Sequence, residues 1–369
     1  MKVLMVGGGA REHCLGDKLV TDGAELFTVM KNNNPGLAQL SKDILHISDT
    51  DIPAIVEWAQ KKQIKMAVIG PEAPLEKGIV DALAAVNIPS VGPTKSCARL
   101  ESSKSFTRNL LEKYKIPGNP QFRVFSSTEG IREFLEELGD FVIKDEGLAG
   151  GKGVKLSGEH LSNVEEGYEY AVRCIHKSGA VVIEEKFIGE EFSLQCLTDG
   201  KNVVGSPLAQ DHKRAFEGDT GPNTGGMGSY SDSNHLLPFL KQKDYDAAMD
   251  ITRKVCDALN EECGQFYKGV MYGGFISTKK GVRLIEYNAR FGDPEVMNVI
   301  PLLETSLLNM FQAIIDGNLK PNMAKFSKKA TVCKYVVPKG YGVKSESGFP
   351  LQVDEIAIER AGARLFYAA

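Results

Sequence analysis

Among the 369 residues, no apolar run reaches the roughly 20 residues that a membrane-spanning helix needs. The chain opens directly on the strand-like "KVLMVGGG", with no basic leader, apolar core or cleavage signal, so secretion and membrane insertion are set aside and a cytoplasmic location is expected. Cysteine is sparse: the seven residues at 14, 97, 174, 196, 256, 263 and 333 are odd in number, scattered, and contain no CxxC pair. Neither a disulfide framework nor a zinc site follows, and the reduced state is expected. Charge of one sign is also missing. The net charge is −4 with acids and bases interspersed, so nucleic acid has no basic patch to recognise and is not expected as a partner. Internal repeats and low-complexity linkers are absent too.

What is present is a long, ordinary globular composition, 42% hydrophobic and 25% charged, enough for two or three domains with real cores. Residues 1 to about 100 alternate short apolar runs with amphipathic stretches, the βαβ rhythm of an open parallel sheet. Such sheets bind ligands at the carboxyl ends of their strands. Two strand ends there are unusual, "GGGAREH" at 7–13 and "GPEAPL" at 70–75. After a helix at 104–114 the character changes. "FVIKDEGLAGGKGVKL" gives two strands around a glycine-rich turn, then a helix near 161–177 and the strand "AVVIEE", a small α+β unit set into a larger one. Antiparallel strands with a "TKKG" turn and helices near 244–263 and 304–316 follow, and a last strand begins near 330.

Several stretches carry chemistry. In "GGGAREH", Gly7 and Gly9 match the first two glycines of a dinucleotide fingerprint, but Glu12 stands at the third and would crowd a pyrophosphate. A monophosphate held by the loop amides and Arg11 fits better. "KDEGLAGGKGV" combines Lys144 and Lys152 with Gly147, Gly150, Gly151 and Gly153, a backbone able to close over phosphates, although it is no Walker A loop. "VVIEEKFIGEE" is a strand entering a short linker, where adenine can meet backbone groups and Glu191 the ribose hydroxyls. Residues 210–231 are read as one long glycine-rich loop holding Asp211, His212, Lys213, Asn223 and Thr224, a mixture suited to a small zwitterion and a phosphate. In "VRLIEYN", Glu286 and Asn288 stand at i and i+2 on one face of a strand, half of an octahedral Mg²⁺ site whose remainder would come from phosphates and water. Arg290, two further on, can face the same cleft and stabilise a phosphoryl group in transfer. A solvated edge-strand face would explain the alternation but not a matched ligand set.

"RFGDPEVM", "GLAGGKGV", "DHKRAFEGDTGPNTGGMG" and "GPEAPL", in this order-preserving arrangement from residue 1 to about 340, resemble the phosphoribosylamine–glycine ligase (glycinamide ribonucleotide synthetase) family of the ATP-grasp superfamily. The resemblance implies an α/β and α+β multidomain enzyme: a Rossmann-like N-terminal domain at 1–102, an ATP-grasp domain at 103–327 with an inserted lid at about 123–188, and a partial C-terminal domain at 328–369. Family members continue for some tens of residues past a segment like "GARLFYAA", so that last domain is expected to be cut short. The implied reaction is ATP-dependent joining of glycine to 5-phosphoribosylamine in purine synthesis, through a glycyl phosphate, by a monomer or weak dimer.

The same resemblance assigns roles. Lys104, Lys144 and Lys152 would hold ATP phosphates, Glu184, Glu185 and Phe187 would line the adenine pocket, and Glu191 would bind ribose. Glu286 and Asn288 would hold Mg²⁺ or Mn²⁺. Gly9, Arg11, Glu12, His13, Pro71, Glu72, Asp211, His212, Lys213, Asn223, Thr224, Gly225 and Arg290 would bind the ribosylamine phosphate and glycine, with Arg290, Lys144 and Asp211 as the catalytic set. Two alternatives remain: another ATP-grasp carboxylate–amine ligase or a carboxylase subunit, which should lack "RFGDPE" and "DTGPNTGGMG", and a non-catalytic nucleotide-binding module, which should have lost a metal ligand or phosphate lysine.

Overall fold

A computed structural model describes residues 1–148, 153–218 and 220–368. The N-terminal strands β1 (Lys2–Val6), β2 (Glu25–Val29), β3 (Ser41–Leu45), β4 (Met66–Ile69) and β5 (Ser90–Val91) form a parallel sheet in the order β3-β2-β1-β4-β5. Strands of such a sheet are covered on both faces and read as continuous apolar runs. β1 shows why: Leu4 and Val6 enter one hydrophobic core while Val3 and Met5 enter another.

Next come β6 (Phe122–Phe125), β7 (Phe141–Asp145), β8 (Val154–Leu156) and β9 (Val181–Glu185), an antiparallel sheet in the order β6-β9-β7-β8. Helices Ile131–Leu138 and Val164–Ser178 cover it. Phe134, Leu135, Phe141, Ile143, Val181 and Ile183 belong to a third core separate from the other two. This unit therefore has its own packing.

The chain then forms β10 (Glu190–Thr198), β11 (Val203–Gly205), β12 (Gln210–Phe216), β13 (Thr220–Ser231), β14 (Gly269–Thr278), β15 (Gly281–Asn288) and β16 (Thr331–Lys334). One antiparallel sheet has the order β11-β10-β14-β15, and a smaller one the order β12-β13-β16. Residues 210–231 are thus a bulged β-hairpin and not the loop expected from their glycines; ladder bonds on two sides and β16 along β13 satisfy a backbone that the composition leaves open. On β10, Phe192, Leu194 and Cys196 point into the same core as Leu4 and Val6, so the first and third units are packed as one mass. Among the described residues no helix is long and apolar enough to cross a membrane.

β16 is fastened by one buried side chain. Asn298 is fully buried, and its amide donates to the carbonyls of Ser229 (3.2 Å) and Thr331 (3.3 Å) and to Thr331 Oγ1 (3.1 Å), while its oxygen accepts from the Ser229 hydroxyl. Substituting Asn298→Ala leaves buried partners on both strands unsatisfied and is expected to destabilise the protein by about 2–3 kcal/mol. Denaturant midpoints of variant and parent test this; a difference below about 0.5 kcal/mol would show that β16 is held by something else.

Candidate active site

The site is built on β15 and its neighbours. In the β14–β15 ladder Gly274 opposes Glu286 and Phe275 opposes Leu284, which leaves Ile285 as the extra residue of a β-bulge. Its carbonyl, free of the ladder, accepts from Lys144 Nζ at 2.9 Å and Arg108 Nη2 at 2.6 Å. Glu286 and Asn288 face the cleft, and Tyr287 between them is buried in the core. Burial would raise the pKa of Glu286, but Lys213, Lys144, Lys104 and Arg290 pull it below the ordinary glutamate value. No cluster of three or more His, Cys, Asp or Glu able to hold a metal occurs among the described residues. Two hard oxygen donors are therefore present, and a cation there would need phosphate or water oxygens to complete its shell.

Lys144 lies on β7, almost fully buried, with its ammonium also paired to Glu184 of β9. Glu184 is gripped from the other side by the Arg108 fork, Nε to Oε2 at 2.7 Å and Nη2 to Oε1 at 3.0 Å. The carboxylate of Glu184, a residue expected at the adenine pocket, is thus engaged between two cations. Burial lowers the Lys144 pKa, with Arg108 acting in the same direction, while Arg108 and Lys144 together keep Glu184 ionised despite its burial. Glu185 is also engaged elsewhere, accepting from the Gln121 amide at 2.9 Å. Phe187 is half-buried, with the Arg283 guanidinium 5.8 Å from its ring centre. Lys104 donates to the Gly147 carbonyl at 2.6 Å, and Glu146 accepts from Ser105 N at 3.0 Å, so the start of the glycine-rich segment docks on the first turn of helix Lys104–Lys113. Lys152, Gly150 and Gly151 lie outside the described residues.

Arg290 is more committed than the sequence suggests. Its Nε lies 3.4 Å from Glu72, its Nη2 3.2 Å from Glu101 and 3.4 Å from Asn288 Oδ1, and its Nη1 donates to the Phe291 carbonyl at 3.1 Å. Arg290, expected to face the cleft and stabilise a phosphoryl group, here bridges Pro71–Glu72 at the end of β4 to the extension of β15. Glu101 in turn accepts from the Ala289 amide at 2.7 Å.

The first glycine-rich turn is filled from within. Glu12 accepts from the Gly9 amide at 2.7 Å and from Arg11 Nε at 2.6 Å, and Arg11 Nη1 reaches the Phe291 carbonyl at 3.3 Å. A side chain at Gly70 would collide with the Glu12 carboxylate, which shows how closely that acid is held. The Glu12 carboxylate thus stands with Arg11 at the start of helix Ala10–Thr21, in the turn where a monophosphate was expected. His13 is likewise covered: its Nδ1 accepts from the Tyr367 amide at 2.9 Å, the Tyr367 ring stacks 6.0 Å away, and burial lowers its pKa.

On the hairpin, Lys213 Nζ lies 3.5 Å from Asp211 and 3.9 Å from Glu191, which brings these three together at the mouth of the cleft. His212 is exposed and stacks on Tyr230. Asn223 pairs across the hairpin with Arg214, Thr224 Oγ1 donates to the Lys213 carbonyl at 2.9 Å, and Gly225 has open space beside it. Asn223 and Thr224 serve the hairpin first, in contrast to the ligand roles expected for them.

Residues 1–101 match the model of the phosphoribosylglycinamide synthetase N domain, and residues 102–296 that of the phosphoribosylglycinamide synthetase ATP-grasp (A) domain. The phosphoribosylamine–glycine ligase of Thermococcus gammatolerans is 51% identical over 370 residues, covering 100% of this chain and 84% of that protein. The chain belongs to the phosphoribosylglycinamide synthetase family. The ligase of the same name from Methanothermobacter thermautotrophicus is 51% identical over 374 residues, covering 100% of this chain and 85% of that protein. A crystal structure of phosphoribosylamine–glycine ligase from Thermotoga maritima superposes with a TM-score of 0.78 at 28% identity, over 94% of this chain and 83% of that one. Biotin carboxylase from Campylobacter jejuni shares the fold, with a TM-score of 0.72 at 15% identity over 93% of this chain and 77% of that one.

The sequence reading missed Arg108, Glu101, Tyr272 and Glu295. Arg108 had a signal, since it follows Lys104 by four residues on one helix face. Glu101 had none, because its partners are 188 and 189 residues away. Glu295 is almost fully buried and accepts from Tyr272 OH at 2.6 Å. Burial, aided by the nearby Asp211 charge, pushes its pKa up to about 7. A carboxyl held above the unfolded value of about 4.3 binds its proton more tightly in the folded state, so folding loses stability as pH rises from there to about 7 and stays lower above it. Glu295→Gln, neutral and still able to accept from Tyr272, should therefore gain on the order of 2 kcal/mol over the parent at pH 8 and much less at pH 5. Unfolding midpoints at both pH values decide it, and an equal difference at the two would mean that Glu295 is not held protonated by its surroundings.

Proposed function

We propose that this chain catalyses the ATP-dependent ligation of glycine to 5-phosphoribosylamine, giving glycinamide ribonucleotide, ADP and phosphate in purine biosynthesis. The observation that carries the reading is the ionised Glu286 beside Asn288, set among Lys104, Lys144 and Lys213. That is a charge pattern for a nucleotide's polyphosphate together with a divalent cation. Lys104 and Lys144 meet the phosphates, the linker after β9 meets adenine through its backbone and Phe187, and Glu191 meets the ribose. Asp211 and Lys213 are a charge pair matching the two ends of glycine. Mg²⁺ or Mn²⁺, held by Glu286 and Asn288, would supply charge neutralisation on the phosphates.

On this reading the glycine carboxylate takes the terminal phosphoryl group, and the ribosylamine nitrogen then attacks the acyl phosphate and expels inorganic phosphate. Lys144 offsets charge during the first transfer, Arg290 orients Asn288, and Asp211 orients the glycine ammonium. The acyl phosphate hydrolyses in water, which gives the separately packed β6–β9 unit a task as a lid over the cleft. The same reading divides the chain at about 102 and 327, with residues 328–369 contributing β16 to the hairpin's sheet.

ADP release is measured with Mg²⁺-ATP, glycine and freshly generated phosphoribosylamine, each omitted in turn; the reading requires all three. Glu286→Ala should lower turnover by roughly 100-fold or more while leaving the melting curve and circular dichroism intact. Near-normal turnover in that variant would remove the metal assignment.

A further inference from the structure

One cluster is not explained by ligand contacts. Arg108, Glu184 and Lys144 are each nearly fully buried, with side-chain exposures of 3% to 5%, and they come from three places. Arg108 sits on helix Lys104–Lys113 in the body, Lys144 and Glu184 on β7 and β9 of the small unit, and the carbonyls that receive them belong to β15. On the small sheet Glu184 opposes Val142 and Lys144 opposes Val182, so the two charged side chains are diagonal neighbours on one face. Arg108 directs Nε and Nη2 to Glu184, Nη2 also to the Ile285 carbonyl at 2.6 Å, and Nη1 to the Leu284 carbonyl at 3.2 Å and Asn119 at 3.5 Å. A planar fork with five donors suits this task, and a lysine could not make these bonds together.

We propose that Arg108 and Glu184 are positioning residues that fix the Lys144 ammonium of the small unit at a set distance from the Glu286–Asn288 pair on β15. Lys144 and Arg108 end on the same bulged carbonyl, Ile285, which immediately precedes Glu286. The phosphate cation and the metal strand are thereby held in one rigid arrangement, although they belong to units with separate cores. The inference rests on the proposed roles of Lys144 and Glu286, and goes beyond them in assigning a function to two residues whose charged groups meet each other, Lys144 and β15.

Such a joint makes a quantitative demand. A divalent cation that bridges the protein and a nucleotide phosphate couples the two more strongly when their protein contacts are registered to each other, so loosening the joint should weaken the coupling between them. The probe is ADP, titrated calorimetrically into the full chain with and without Mg²⁺. Arg108→Lys keeps the charge and loses the fork; Glu184→Gln keeps the shape and loses the charge. In the parent, Mg²⁺ should tighten ADP binding by roughly 10-fold or more, and in either variant this factor should fall to about 2 or less. Turnover should drop by about 10- to 100-fold with the KM for glycine within about twofold of the parent, because the glycine contacts are elsewhere.

Circular dichroism and melting curves identify which variants are folded, and the coupling factor is read only on those. A merely structural role for the pair would lower the melting temperature and leave the coupling factor and the folded enzyme's turnover unchanged; that result in either folded variant overturns the proposal. Glu286→Ala separates the two readings. If it abolishes the Mg²⁺ effect on ADP while Arg108→Lys and Glu184→Gln retain it, the metal assignment stands and the positioning role falls. If Glu286→Ala retains the Mg²⁺ effect, the metal assignment itself falls, and the positioning role with it.

Discussion

Burying charge in quantity is the constraint on which this structure depends. An ion moved out of water loses several kcal/mol of solvation even after the protein relaxes, and only close partners with good geometry restore it. The cleft beside β15 gathers Lys144, Arg108, Arg290, Glu184, Glu72, Glu101 and Glu286, and all but the last have a close partner of opposite charge. Glu286 is compensated collectively, by four cations around it. A site arranged in this way has little freedom to rearrange in part, because moving one group leaves another buried and uncompensated.

That constraint explains why the site draws on every unit of the fold. A single sheet edge cannot bring enough charges of both signs to one place while filling its own core. The parallel sheet contributes Glu72 at a strand end, the two helices after it contribute Glu101 and Arg108, the small sheet contributes Lys144 and Glu184, and the antiparallel sheet contributes Glu286 and Asn288. Hydrophobic burial does the joining: the first and third units share two cores, while the small unit keeps its own. The polar contacts are left to set the angle of the small unit, since its core does not.

How legible was this in the sequence? The βαβ rhythm, the antiparallel strands and the long helices are periodic in apolar residues, and periodicity depends only on neighbours in the chain. Glu286 and Asn288 were legible for the same reason, as alternate residues of one strand. The hairpin at 210–231 was not, because its glycines and polar residues speak for a loop while its strand character comes from the pairing of β12 with β13 and, at Gly228–Ser231, from the distant β16. Glu12 was recognised as an obstacle to a pyrophosphate but not as the occupant of the turn. For Arg290 and Glu184 the sequence did not show which charges they meet. Their carboxylate and guanidinium partners, Glu72, Glu101 and Arg108, come from distant segments, and no local pattern records which of several nearby charges each will meet.

The two buried arginines then acquire a common meaning. Arg108 ends on the carbonyls of Leu284 and Ile285, and Arg290 reaches back to Asn288. One joins β15 to the small sheet through Glu184, and the other joins its extension to the N-terminal sheet through Glu72. β15 is thus the reference to which both neighbours are tied, one on each side of Glu286 and Asn288. A reaction that forms a water-sensitive acyl phosphate and passes it to an amine needs both substrates aligned before the first bond is made, and misplacement by an ångström can cost a hundredfold in rate. Planar, always-charged forks at the two flanks of one strand meet that need in a way that flexible lysines would not.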